Sequence, residues 1–119
     1  ASGGALAIGL SDKIFCLENS WYSVISPEGC ASILFRNPDR AEEAADSMKV
    51  TSYDLYEMGI ADEIVKEPMG AAHISPDETA QILKEVIIRN YAELKKLSID
   101  NLIKLRIEKY DKIGEYEEK

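Results

Sequence analysis

The sequence predicts a mixed α/β chain, with a few short strands in its first two thirds and two long helices at its end. Three observations point there. Short β-prone runs stand between Gly, Pro and Asn punctuation at 13–17, 21–25 and 60–65. Ser26-Pro27-Glu28-Gly29 and Ser75-Pro76-Asp77-Glu78 each combine a capping Ser with a Pro suited to the first helical position and an acidic residue that complements the positive end of the helix. Apolar residues then recur at three- and four-residue steps through Leu83, Val86, Ile87, Tyr91, Leu94 and Leu97, and again through Ile99, Leu102, Ile103 and Ile107.

Taken in order, Ser2-Gly3-Gly4-Ala5-Leu6-Ala7-Ile8-Gly9 opens the chain, and a short helix is expected over 4–10. A helix start carries unpaired N–H donors and about half a positive charge, and Gly3 and Gly4 add no side chain to block an approaching anion. The motif stands at the very first residues with no Met, and the strand and turn that should aim it are missing. The chain is therefore expected to be the C-terminal piece of a longer protein. A strand over 13–17, the turn-favouring pair Asn19-Ser20 and a second β run over 21–25 follow. The helix begun at Ser26 should continue through Phe35, packing Ile33 and Leu34 inward. Asn37-Pro38 breaks it, and 39–48 resumes with Ala41, Ala44, Ala45 and Met48 on one side. Thr51 can cap a short helix that stops at Gly59, and 60–65 reads as a strand. The long helix from Ser75 runs to about Leu97, and Ser98 caps the last one, which frays near Gly114. These two helices form either a packed hairpin or a surface for another chain.

Composition narrows the chemistry. With 119 residues, 45% of them hydrophobic and 30% charged, the chain is one soluble domain or part of one. No apolar run reaches the roughly 18 residues of a membrane span, no secretory signal is present, and a cytoplasmic location is expected. The formal net charge of −8 argues against nucleic acid as a partner. Cys16 and Cys30 with the single His73 suggest neither a zinc site nor a disulfide framework, and both are expected as buried free thiols. The acidic stretch 39–67 reads as a solvated helical face.

Side-chain catalysis is poorly supplied. The chain has no G-x-S-x-G elbow, phosphate-binding loop, H-E-x-x-H or C-x-x-C. His73 sits between Ala72 and Ile74 in a loop-like segment, Asp62 and Glu63 should point to opposite faces of a strand, and Ser2 has no visible base. What survives is the backbone: the N–H groups of Gly3 and Gly4 can hold a developing oxyanion.

S-G-G-A-L-A-I-G at 2–9, Y-S-V-I-S-P-E-G-C-A-S-I-L at 22–34 and E-P-M-G-A-A-H at 67–73 resemble the α subunit of bacterial acetyl-CoA carboxylase carboxyltransferase. The resemblance covers the whole chain, is strongest through Phe35, and returns in the tail around Arg106, Lys109 and Gly114. It implies the C-terminal part of a crotonase-like (ClpP/crotonase) ββα superhelix: residues 1–119 would be a fragment of a single carboxyltransferase domain and 75–114 its helical C-terminal extension. It further implies pairing with a β subunit in an α2β2 assembly. Together the subunits would transfer a carboxyl group from carboxybiotin on the biotin carboxyl carrier protein to acetyl-CoA, giving malonyl-CoA for fatty-acid synthesis. Gly3 and Gly4 would then be the catalytic and cofactor-binding residues, their N–H groups directed at the biotin ureido oxygen, and the released biotin anion would act as base. The zinc ribbon and most CoA contacts would belong to the β subunit, leaving no metal in this chain. The isolated piece is expected to be inactive. Ala71 stands where the family usually carries a second glycine after E-P-x-G, and Leu105-Arg106 where adjacent arginines are common. Two other readings stand beside this one: a crotonase-fold acyl-CoA decarboxylase or hydratase subunit acting without biotin, and a non-catalytic assembly module whose final helices bind a partner.

Overall fold

Residues 2–114 are described by the structure, a computed structural model. The elements are α1 (Ser2–Gly9), β1 (Phe15–Leu17), α2 (Pro27–Phe35), α3 (Ala41–Met48), α4 (Ser52–Glu57), β2 (Glu63–Val65), α5 (Pro76–Leu94) and α6 (Ile99–Asp111), with 3-10 turns at Pro38–Arg40 and Pro68–Gly70. The chain is thus mixed α/β as expected, with helix predominating. β1 and β2 pair in parallel, Phe15 opposite Glu63, Cys16 opposite Ile64 and Leu17 opposite Val65. Parallel neighbours need a long crossover, and α2, α3 and α4 supply it. Ile14, Cys16, Leu55 and Ala61 form the buried cluster at this sheet, with Tyr22 and Ile60 packed against it.

Local chemistry explains the helix boundaries. The Ser26 hydroxyl accepts the Gly29 N–H at 3.1 Å and Pro27 occupies the first position of α2. Thr51 and Asp54 cap α4 reciprocally, and Gly59 follows it in the left-handed region at φ 72°. The Ser98 hydroxyl accepts the Asn101 N–H at 3.3 Å to start α6. Ser75 departs from this pattern: its hydroxyl meets the Glu78 carboxylate at 3.2 Å, while its carbonyl takes both the N–H and the hydroxyl of Thr79.

Several expectations are corrected. The run 21–25 is no strand: only Trp21 bridges to Thr51, because Ser23 folds back on Ile25 through its hydroxyl. The second strand is confined to Glu63–Val65, since the N–H groups of Ile60 and Ala61 both turn back to the Leu55 carbonyl. Ile33 and Leu34 are exposed and Ala31 is the buried residue of α2, so the helix presents its small side inward. α5 ends at Leu94, where Lys95, Lys96 and Leu97 form a turn that bonds back to Tyr91, Glu93 and Leu94. Cys16 is buried, with its thiol pushed up by that burial, but Cys30 is only half-buried. Ala71 is extended at φ −163°, and the positive φ angles fall on Met69 and Gly70 instead, so alanine fits at position 71 without strain.

The chain is open for its length. Its radius of gyration is 16.8 Å, against about 13.5 Å expected of a compact domain of this size. Leu6, Ile8 and Leu10 beside α1, and Ile87, Ile88, Tyr91, Ile99, Ile103 and Ile107 on the last two helices, are exposed. Only Val86 of the long apolar stripe on α5 is a buried hydrophobic side chain, and α6 buries none. Among the described residues no helix is long and apolar enough to cross a membrane.

Candidate functional site

Gly3 and Gly4 lie in the first turn of α1, where no helical carbonyl precedes them to accept their N–H groups. Among the described residues neither N–H meets an acceptor outside the helix. A methyl group placed on either glycine would meet nothing within 4 Å, so the space beside both is open. The pair expected from the sequence is therefore presented as two adjacent, accessible donors.

What aims this turn lies elsewhere. The Ser2 N–H donates to the carbonyl of the buried Ser23 at 3.1 Å, tying down the start of α1. The Tyr22 hydroxyl donates to the Ala5 carbonyl, and a Cβ on Gly9 would collide with that hydroxyl. The Tyr110 hydroxyl, from α6, donates to the Gly9 carbonyl and accepts the Ser11 N–H at 3.0 Å. Burial pushes the Tyr22 phenol up, with Tyr110 and Cys16 adding to it, so the Tyr22 ring acts as a neutral hydroxyl.

Carboxylates then lock the surrounding loops. Glu18 accepts from Lys66 and, at 2.6 Å, from the Tyr53 hydroxyl. The Lys66 ammonium first, and then that hydroxyl, hold its carboxyl down at about 2, while Lys66 is pushed upward in return. Glu67 accepts the Asn19 N–H at 2.6 Å and the Ala72 N–H at 2.7 Å, and these bonds lower it as well. E-P-M-G-A-A-H is thereby fastened to the turn after β1. Asp12 takes a bidentate grip from Arg106 at 2.7 and 2.8 Å and is lowered by it. Each of these groups ionises more readily folded than unfolded. Their stabilisation is complete above their ordinary carboxylate values and is lost as the pH falls through the lowered ones, which for Glu18 is about 2. Denaturant titrations stepped from pH 6 to 2 are expected to show falling stability below about 4.5, and Glu18→Gln should flatten part of that slope.

Asp62 and Glu63 serve different helices, as their adjacency predicts. Asp62 accepts the Ile14 N–H at 2.7 Å and pairs with Lys109 of α6 and, at 3.4 Å, with Lys13. Glu63 pairs with Arg89 and, at 3.2 Å, with Asn90 of α5, and Arg89 is the main cause of its lowered carboxyl. His73 is exposed in the turn before α5. Among the described residues no group of three or more His, Cys, Asp or Glu side chains converges as a metal site. Sequence reasoning missed Tyr22 and Tyr110 as supports of α1. Tyr22 stands in the Y-S-V-I-S-P-E-G motif, but nothing local marks Tyr110, whose partners lie about a hundred residues earlier.

Residues 1–114 match the model of the family described as acetyl co-enzyme A carboxylase carboxyltransferase-like. The chain is 53% identical over 118 residues to an acetyl-coenzyme A carboxylase carboxyl transferase subunit alpha of Desulfitobacterium hafniense, covering 99% of this chain and 37% of that protein. Proteins of the same name from Fusobacterium nucleatum, 50% identical over 95% of this chain and 36% of theirs, and Flavobacterium johnsoniae, 46% identical over 99% and 37%, are similar as well. The chain spans little more than a third of the length of these relatives. With the match running through both the glycine turn and the final helices, the chain belongs to the acetyl co-enzyme A carboxylase carboxyltransferase-like family.

Proposed function

We propose that the complete subunit containing this chain is the carboxyltransferase α subunit of acetyl-CoA carboxylase. It transfers a carboxyl group from carboxybiotin on the carrier protein to acetyl-CoA, forming malonyl-CoA for fatty-acid synthesis. The observation that carries this reading is the 53% identity to a relative of that name across 99% of the chain. The open pair of amides supports it. Residues 1–119 are read as the C-terminal part of one crotonase-like domain, with 75–114 as its helical extension.

The glycine turn fits a planar ring carrying a developing oxyanion, because both donors are unobstructed. Bound carboxybiotin supplies the carboxyl group. With carboxybiotin bound, the Gly3 and Gly4 N–H groups would hold its ureido oxygen and stabilise negative charge there, and each such donor would lower the barrier by about 3–4 kcal/mol. Because the α1 amides are fixed dipoles, they need no proton transfer and no reorganisation at the moment of reaction. This chain's only histidine can then stay at the surface, as it does. The reading carries with it a β subunit bearing the zinc ribbon and most CoA contacts, the biotin carboxyl carrier protein, an α2β2 assembly and a cytoplasmic location.

The complete α subunit, mixed with its β partner, is expected to form malonyl-CoA from acetyl-CoA in strict proportion to added carboxybiotin. Turnover of acyl-CoA without biotin would transfer the reading to a decarboxylase or hydratase. A correctly assembled complex with no turnover would leave a binding module.

A further inference from the structure

We propose that Tyr110 is a positioning residue for the Gly3 and Gly4 amides, its hydroxyl clamping the far end of α1 so that the first turn keeps its aim. The inference rests on the oxyanion role given to those amides under the proposed function.

α1 cannot hold itself. It spans Ser2–Gly9, far below the roughly 12 residues at which an isolated helix becomes stable, and Gly3 and Gly4 weaken it further. Burial does not hold it either, since Ala5 is its only buried residue while Leu6 and Ile8 face outward. Its seat is polar: Ser2 to Ser23 at the start, Tyr22 to Ala5 in the middle, and Tyr110 to Gly9 at the end. Of these ties only the last comes from outside the first part of the chain. Tyr110 also accepts the Ser11 N–H, so one hydroxyl fixes both the last carbonyl of the helix and the residue that leads out of it.

The clamp has a firm base. Arg106, one turn before Tyr110 on α6, grips Asp12 bidentately, and Lys109 pairs with Asp62. Gly9, Leu10, Ile14 and Tyr22 border the same small apolar groove as Tyr110. Freed from Tyr110, α1 would keep only the Ser2–Ser23 and Tyr22–Ala5 bonds, and its unclamped far end would tilt the first-turn N–H groups off the reacting oxygen. A displacement of about 1 Å in such a group costs up to 100-fold in rate.

The test is Tyr110→Phe in the complete α subunit assembled with its β partner, read by steady-state kinetics and by peptide-level hydrogen exchange. We expect kcat about tenfold lower with KM for acetyl-CoA within twofold of the parent, and exchange at residues 6–11 about tenfold faster while β1 and β2 keep their protection. Wild-type kcat overturns the inference, whether or not exchange in α1 has risen. So does a joint collapse of kcat, KM and protection in the sheet, which would make Tyr110 a general stabiliser. Gly3→Leu and Gly4→Leu run beside it: full turnover in those variants removes the oxyanion reading itself, independently of the Tyr110 result.

Discussion

Replacing Gly3 or Gly4 by Leu in the assembled carboxyltransferase is expected to lower turnover about 100-fold or more while leaving the fold as stable as before. The two halves of this expectation have separate causes. A Cβ at either position meets nothing within 4 Å beyond the adjoining backbone, and Leu is a better helix former than Gly by about 0.7 kcal/mol, so unfolding experiments should show no loss and even a small gain. On the proposed oxyanion role, the same side chain would fill the open space beside the two N–H groups, and losing one such donor typically costs about 100- to 1,000-fold. Gly3→Pro separates blocking from donation, because it deletes the N–H in a first turn that tolerates proline. Steady-state assay with thermal melts as the control decides it, and a mild effect of all three variants would deny these amides a role in the reaction.

Asp62→Ala should damage the fold strongly. Its carboxylate serves three groups at once: the Ile14 N–H, Lys109 and Lys13. With the side chains of Asp62 and Lys109 only 18% and 15% exposed, removal strands an ammonium and a backbone donor near the core. Breaking a fully buried pair costs about 3–5 kcal/mol, and this partial exposure reduces the expectation to about 2–3 kcal/mol. Asp62→Asn, which keeps an acceptor for Ile14, should cost less. Denaturant unfolding measures the difference, and hydrogen exchange should show α6 released before the sheet opens. Equal losses in the two variants would mean that Lys109 does not depend on this charge.

The helix starts were legible because they are local. Ser26, Thr51 and Ser98 each bond the amide three residues onward, so sequence spacing alone specifies the contact. Strands were overread for the complementary reason. A β-prone run becomes a strand only where a partner lies alongside, and 21–25 finds Thr51 beside Trp21 and the Val50 carbonyl beside Tyr22 but no ladder beyond them. Ile33 and Leu34 show the same limit for burial: hydrophobicity predicts a side chain's preference, while the neighbouring elements decide whether anything covers it.

By itself the sequence determined the glycine turn, the caps and the family, all of which depend on residues adjacent in the chain or on an unbroken string of identities. Only the tertiary structure decided what supports that turn. Tyr110, Arg106 and Lys109 act on partners far away along the chain, and hydrogen bonds and ion pairs act over about 3 Å of space whatever the separation in sequence. No spacing rule encodes such a contact before folding has brought its two ends together.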